Sequence, residues 1–186
     1  FKVSLTIWKR HLNYNCETKL NLFKTLSLVK VMILLDGKEL SQQIQRDLQP
    51  RIQKLIDSNC RPGLAVILVG NNKESIVYVN MKQKTCKQLG IKTEYHHFPE
   101  NVTQELLIQT ILTLNENTTI HGILIQLPLP SHINTDTIVN TIAYEKDVDG
   151  FNTINAGKLF QNKDYLFSPC TAKACIELLN HYNINN

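Results

Sequence analysis

Apolar and polar positions fall into a regular succession from Met32 onward, whereas residues 1–31 show no sustained period. After the turn pair Asp36-Gly37, residues Leu40, Ile44, Leu48, Ile52, Leu55 and Ile56 recur at helical spacing. Pro50 falls inside that period and predicts a kink or a break. The continuous apolar run Leu64-Ala-Val-Ile-Leu-Val69, bounded by Gly63 and Gly70, predicts a strand buried on both faces. Glu74 to Leu89 reads as a helix closed by Gly90 in the left-handed conformation. A strand over Lys92 to Phe98, a helix over Thr103 to Asn115 and a strand over Ile120 to Ile125 follow. The last of these is stopped by Leu127-Pro128-Leu129-Pro130. A helix from about Asn134 to Ile142, a polar turn over Glu145 to Gly150 and a helix from about Thr171 to Tyr182 behind Pro169 complete the pattern. Strands alternating with helices predict an α/β fold, a three-layer αβα domain around a mostly parallel sheet. Ligands of such sheets bind at the carboxyl ends of strands, so the loops after Val69 and Ile125 are the first places to look.

Charge changes this picture little. The formal net charge is +4 over 186 residues, but residues 1–30 hold six basic side chains and one acid. From Val31 onward 14 basic residues face 15 acidic ones, so the body gives no sign of a nucleic-acid partner. The N-terminal stretch reads as a basic targeting segment, a disordered arm, or translation upstream of a start at Met32. Its longest apolar run, Val31 to Leu35, is far short of a membrane span. Five cysteines, an odd number without a CxxC pair, point to a reducing compartment and free thiols rather than a disulfide framework or a zinc site.

Candidate chemistry sits at four places. Tyr78 and Lys82 are four apart on one helix and share a face; Lys82 is either a solvated lysine or a cleft amine whose pKa desolvation lowers into proton-transfer range. Gln126 stands at the carboxyl end of the last strand, where it either bonds a lysine or an amide-rich ligand or is an ordinary loop residue. Lys146-Asp-Val-Asp-Gly150 carries two carboxylates two residues apart. They fit a metal clip, an acceptor for a ring with an amino-pyrimidine edge, or a turn with Asx capping. His96 and His97 point to opposite faces of a strand, which excludes a shared metal. Cys170 and Cys175 read as packing thiols rather than a redox pair. None of the seven glycines is two from another, so there is no GxG turn and no glycine-rich phosphate cradle.

Taken in order, Ser75-Ile-Val-Tyr-Val-Asn-Met-Lys82 with Gln88-Leu-Gly-Ile91, Gly122-Ile-Leu-Ile-Gln-Leu-Pro-Leu-Pro130, Glu145-Lys-Asp-Val-Asp-Gly150 with Ile154-Asn-Ala-Gly157, and Pro169-Cys-Thr171 form one pattern. It resembles the catalytic domain of the bifunctional methylenetetrahydrofolate dehydrogenase/methenyltetrahydrofolate cyclohydrolase family over about Met32 to the last residue. The resemblance implies oxidation of 5,10-methylenetetrahydrofolate by hydride transfer to NADP (or NAD), then hydrolysis of the methenyl product to 10-formyltetrahydrofolate in the same cleft. It implies that Lys82 handles the proton transfers of hydrolysis and that Tyr78 lines the folate cleft beside it. Gln126 would contact Lys82 and set its protonation state, Asp149 would anchor the pterin, and Ile125 and Leu127 would offer backbone contacts to folate. Thr171 would lie toward the dinucleotide; no metal is implied.

The sequence departs from the family after Pro169-Cys-Thr171, where Ala172-Lys-Ala174 replaces a proline and a glycine two residues on. The family also continues into a Rossmann-type domain that this chain does not show. The chain is therefore expected to be an incomplete catalytic domain, binding no dinucleotide and showing no dehydrogenase activity alone. Two alternatives are a stand-alone remnant with weak cyclohydrolase activity and a non-catalytic folate-binding module. The expected partners are a small folate and, by resemblance, a second subunit, with neither nucleic acid nor membrane. The expected compartment is the cytoplasm, or the mitochondrial matrix if residues 1–31 are a presequence.

Overall fold

A computed structural model of the chain describes residues 33–184. The chain divides into two units, Phe1–Leu34 and Leu35–Asn186. Of the first only Ile33 and Leu34 are described, so the expectations for residues 1–31, and for Cys16 within them, lie outside the described residues. The second unit carries all the elements named below.

Helix α1 (Gly37–Asp57) begins where a turn was expected. The Asp36 carboxylate accepts from the backbone N–H groups of Lys38 and Glu39 at 2.9 and 3.1 Å, so Asp36-Gly37 is a helix start and its cap. The helix also runs through Pro50 without the expected break. Arg46 and Pro50 lie on its exposed side, where water can meet the Arg46 carbonyl that the proline leaves without an N–H.

Strand β1 (Gly63–Val69) is the centre of a parallel sheet of order β2-β1-β3, with β2 (Lys92–Phe98) and β3 (Gly122–Ile125) as its neighbours. Between them run helix α2 (Lys73–Leu89), which Gly90 ends at φ +84°, and helix α3 (Gln104–Glu116). Helices α4 (Thr135–Thr141), α5 (Thr153–Phe160) and α6 (Cys170–His181) follow β3.

The alternation of β1 divides its side chains between two helical layers. Ala65, Ile67 and Val69 pack with Ile123 and Ile125 beneath Leu107, Ile111 and Leu114 of α3 and Ile138 of α4. On the other face Val66, Leu68 and Leu124 meet Val79 and Ile76 of α2. This is the three-layer arrangement that the unbroken apolar run predicted. Each such fully buried side chain contributes about 1.5–3 kcal/mol relative to exposure, so β1 is the stable base of whatever is mounted on it.

Three features differ from the sequence reading. Strand β3 begins at Gly122 rather than Ile120. The expected polar turn is partly sheet: Asp147 bridges Ile123 in parallel register, and Ile123 N–H donates to Lys146 O at 2.7 Å. Helix α5 was not expected at all. The Lys146 ammonium closes the far side of this turn, donating to the carbonyls of Leu114, Asn115 and Asn117 at 3.0, 2.6 and 2.9 Å. It thereby serves the carbonyls at the carboxyl end of α3, at the cost of desolvation that lowers its pKa.

Candidate active site

A cavity of about 650 Å³ opens on the α2 side of the sheet. Its floor is Leu64, Leu124 and Val148, and its walls come from α1, through Ser41 and Gln45, and from four further elements. The carboxyl end of β3 supplies Ile125, Gln126 and Leu127; α2 supplies Lys82; the turn after β3's neighbouring bridge supplies Asp149; the start of α6 supplies Cys170 and Thr171. The loop after Val69, the other place expected to hold a ligand, does not line it. That loop is consumed in starting α2, with Asn72 Oδ1 accepting from Ser75 N–H at 2.9 Å.

Lys82 and Gln126, 44 residues apart, are joined by a 3.2 Å hydrogen bond from Nζ to Oε1. The amide is oriented by its other end, since Gln126 Nε2 donates to Leu127 O at 2.8 Å. Gln126 N–H in turn donates to Ile67 O at 2.8 Å, so the residue is an extension of the sheet with a fixed backbone. The lysine therefore meets a carbonyl-type acceptor, which fixes its head without pairing it to a carboxylate in the same bond.

The two aspartates of the turn have separate fates. Asp147 is buried, with 1% of its surface exposed, and binds only the chain itself. Asp149 faces the cavity, and burial there raises its pKa, with the nearby Lys82 charge and the Cys170 thiol pulling it back down. Among the described residues no three His, Cys, Asp or Glu side chains come together.

Gly150 explains how the fourth wall reaches the site. Its φ is +70°, and a Cβ there would lie 2.5 Å from the Ser168 carbonyl carbon and 2.8 Å from Pro169 N. The turn and the chain before α6 thus touch backbone to backbone, which puts Cys170 beside Asp149. Cys170 Sγ–H donates to Val148 O at 3.3 Å, and burial together with the Asp149 charge raises its pKa. The expectation that Cys170 and Cys175 are packing thiols is wrong, because both are exposed and one faces the cavity.

The structure brings Lys82, Ile125, Gln126, Leu127, Asp149 and Thr171 to one cavity. It leaves Tyr78 outside the lining, one turn earlier on α2 and 56% exposed. His96 and His97 do point to opposite sides: His96 Nε2 meets Glu94 Oε1 and His97 Nε2 meets Gly70 O, each at 2.8 Å. Several lining residues were missed, namely Ser41 and Gln45 of α1, Met81, Thr85 and Cys86 of α2, and Phe151. Thr85 and Cys86 were findable, since they stand three and four residues after Lys82 on the same helix.

With this geometry in place the comparisons are decisive. The model of the tetrahydrofolate dehydrogenase/cyclohydrolase catalytic domain matches residues 35–149. The chain belongs to the tetrahydrofolate dehydrogenase/cyclohydrolase family. It is 48% identical to the bifunctional protein FolD of Helicobacter hepaticus over 154 residues, covering 83% of this chain and 54% of that protein. The crystal structure of the bifunctional FolD enzyme of Campylobacter jejuni superimposes with TM-score 0.81 at 46% identity, over 83% of this chain and 55% of that one. The Trypanosoma brucei FolD structure, complexed with NADP and an inhibitor, has TM-score 0.78 at 35% identity, over 81% and 52%. The chain thus spans about half the length of the relatives it matches.

Proposed function

We propose that the chain is the folate-holding, proton-transferring part of a bifunctional methylenetetrahydrofolate dehydrogenase/methenyltetrahydrofolate cyclohydrolase. The single observation that carries this reading is the Lys82–Gln126 hydrogen bond in the same cavity as Asp149. The Asp149 carboxylate is an acceptor suited to the N–H groups of a pterin's amino-pyrimidine edge. Ile125 and Leu127 flank Gln126 at the strand end and would offer backbone groups along the ring. Tyr78, one turn before Lys82 on α2 and outside the lining, would line the approach to the folate.

Hydrolysis adds water to the methenyl carbon and breaks its bond to one of the two nitrogens, leaving the formyl group on the other. The methenyl substrate is a cation, so the attacking water gives up both of its protons: one must reach the departing nitrogen and the other leaves to solvent. Lys82 would take a proton from the water and deliver one to the nitrogen, and Gln126, whose Oε1 accepts from Nζ, would hold its head in line. NADP (or NAD), when bound, supplies the hydride acceptor of the preceding oxidation. Thr171 faces the cavity from the start of α6 and is the residue proposed to lie toward it. The chain alone is proposed to lack measurable oxidation, because hydride transfer needs the nicotinamide fixed against the folate carbon. Pairing into a homodimer is likewise part of the proposal for the whole enzyme, as is a cytoplasmic setting. Among the described residues no helix is long and apolar enough to cross a membrane.

The test is the decay of 5,10-methenyltetrahydrofolate absorbance with the unsubstituted chain and with Lys82→Met. The reading expects a rate about 10²-fold or more above the Lys82→Met protein, the range a positioned acid–base group contributes. Equal decay in the two proteins rejects it.

A further inference from the structure

The Asp147 carboxyl group is enclosed by the chain, and every donor that holds it comes from the next eight residues. Its Oδ1 accepts from Gly150 N–H and Phe151 N–H at 3.1 and 3.3 Å. Its Oδ2 accepts from Asn152 N–H at 2.9 Å and from Asn155 Nδ2 at 3.1 Å. Two of these donors, Asn152 and Asn155, belong to the start of α5, whose positive end suits a buried carboxylate. The other two belong to the turn that contains Asp149. One carboxylate therefore ties the turn to a helix, and its own backbone is fixed to the sheet through the bridge to Ile123.

Asn155 carries a second sign. It is fully buried, yet among the described residues its Oδ1 has no hydrogen-bond partner. Its amide is turned so that Nδ2 donates to Tyr144 O at 2.8 Å and to Asp147. An orphaned buried oxygen costs stability, and what the fold obtains for it is the fourth donor on Asp147.

We propose that Asp147 is a positioning residue for Asp149: it clamps residues 147–152 between β3 and α5 so that the Asp149 carboxylate is held in the cavity for the folate. This rests on the folate reading above, and it adds a residue that never touches the ligand. An asparagine at 147 has the same shape, but its NH2 faces donors on either side, so the clamp loses two of its four bonds.

The experiment is a fluorescence titration of the full chain with 5,10-methenyltetrahydrofolate in a double-mutant cycle of Asp147→Asn and Asp149→Asn, with amide hydrogen exchange on the same proteins. Asp147→Asn is expected to weaken binding about tenfold or more, the loss of charge-assisted bonds. In the Asp149→Asn background it is expected to cost nothing further, because it acts only through Asp149. Exchange at Gly150, Phe151 and Asn152 is expected to quicken while Val66 and Ile67 remain protected. Should Asp147→Asn fail to fold, Asn155→Ala removes one donor only and is expected to show the same pattern more weakly. Binding unaffected by Asp147→Asn, or an equal loss in both backgrounds, overturns the proposal. If the unsubstituted chain does not bind the folate, the functional reading fails by itself and exchange decides the clamp: faster exchange confined to 150–152 supports it, unchanged exchange overturns it.

Discussion

Gly150→Ala tests how the site is assembled. The substitution puts a side chain at φ +70°, a conformation costing an L-residue about 1–2 kcal/mol. It also places Cβ 2.5 Å from the Ser168 carbonyl carbon and 2.8 Å from Ser168 O. Both are backbone atoms with no rotamer to escape into, so the chain before α6 must move. Overpacking of this kind typically costs about 1–3 kcal/mol more. The sum of about 2–5 kcal/mol corresponds to a fall in Tm of about 4–20 °C for a unit of this size. Gly37→Ala is the control, because a Cβ at that helix start meets nothing within 4 Å. It is expected to be neutral or to stabilise by about 0.4–1 kcal/mol. Urea and thermal melts of both proteins measure the difference, and iodoacetamide labelling of Cys170 reports whether α6 has left its place beside Asp149. Equal stability of the two variants, with Cys170 labelling unchanged, refutes the backbone-contact argument.

Other consequences follow from the same geometry. Burial raises the Asp149 pKa, so affinity for the methenyl folate is expected to fall with acid while the pH is still above the ordinary aspartate value. The carboxylate is the competent form and protonation removes it; in Asp149→Asn that limb of the pH profile should be absent, as titrations across the acid range will show. Lys146→Met strips one charged donor from three carbonyls at the end of α3 and is expected to cost about 1.5–3 kcal/mol in urea melts. Leu107→Ala, at a position 1% exposed, is expected to lose about 2–5 kcal/mol, whereas its neighbour Leu106→Ala, 52% exposed, should stay within about 0.5 kcal/mol.

The sheet and its flanking helices were legible in the sequence because their signals are local and redundant. Leu64 to Val69 is apolar at every position, and Gly90 supplies the left-handed cap at the end of a periodic run. Helix α5 was not legible for a physical reason: its pattern is inverted. Its buried residue is Asn155, while Ile154 and Phe160 are 48% and 92% exposed, so periodicity points the wrong way. Asn152, whose side chain accepts from Ile154 N–H at 2.9 Å, was the available cue. The site was legible to the extent that its residues come in short motifs. Gln126 and Lys82 could be placed at a strand end and on a helix, but their hydrogen bond is a fact of tertiary packing. The motif Lys146 to Gly150 could not say which aspartate faces the cavity, because that depends on the bridge to Ile123 and on four donors, one of them the cap and another a residue of an unforeseen helix.

The central claim is that this cavity holds a reduced folate with its pterin on Asp149 and its one-carbon unit toward Lys82. A crystal structure of the chain with a stable folate analogue tests it most directly. The account predicts the amino-pyrimidine edge within hydrogen-bond distance of the Asp149 carboxylate and the one-carbon position facing Lys82 Nζ. An analogue bound elsewhere, or one seated in the cavity with its pterin turned away from Asp149, contradicts it.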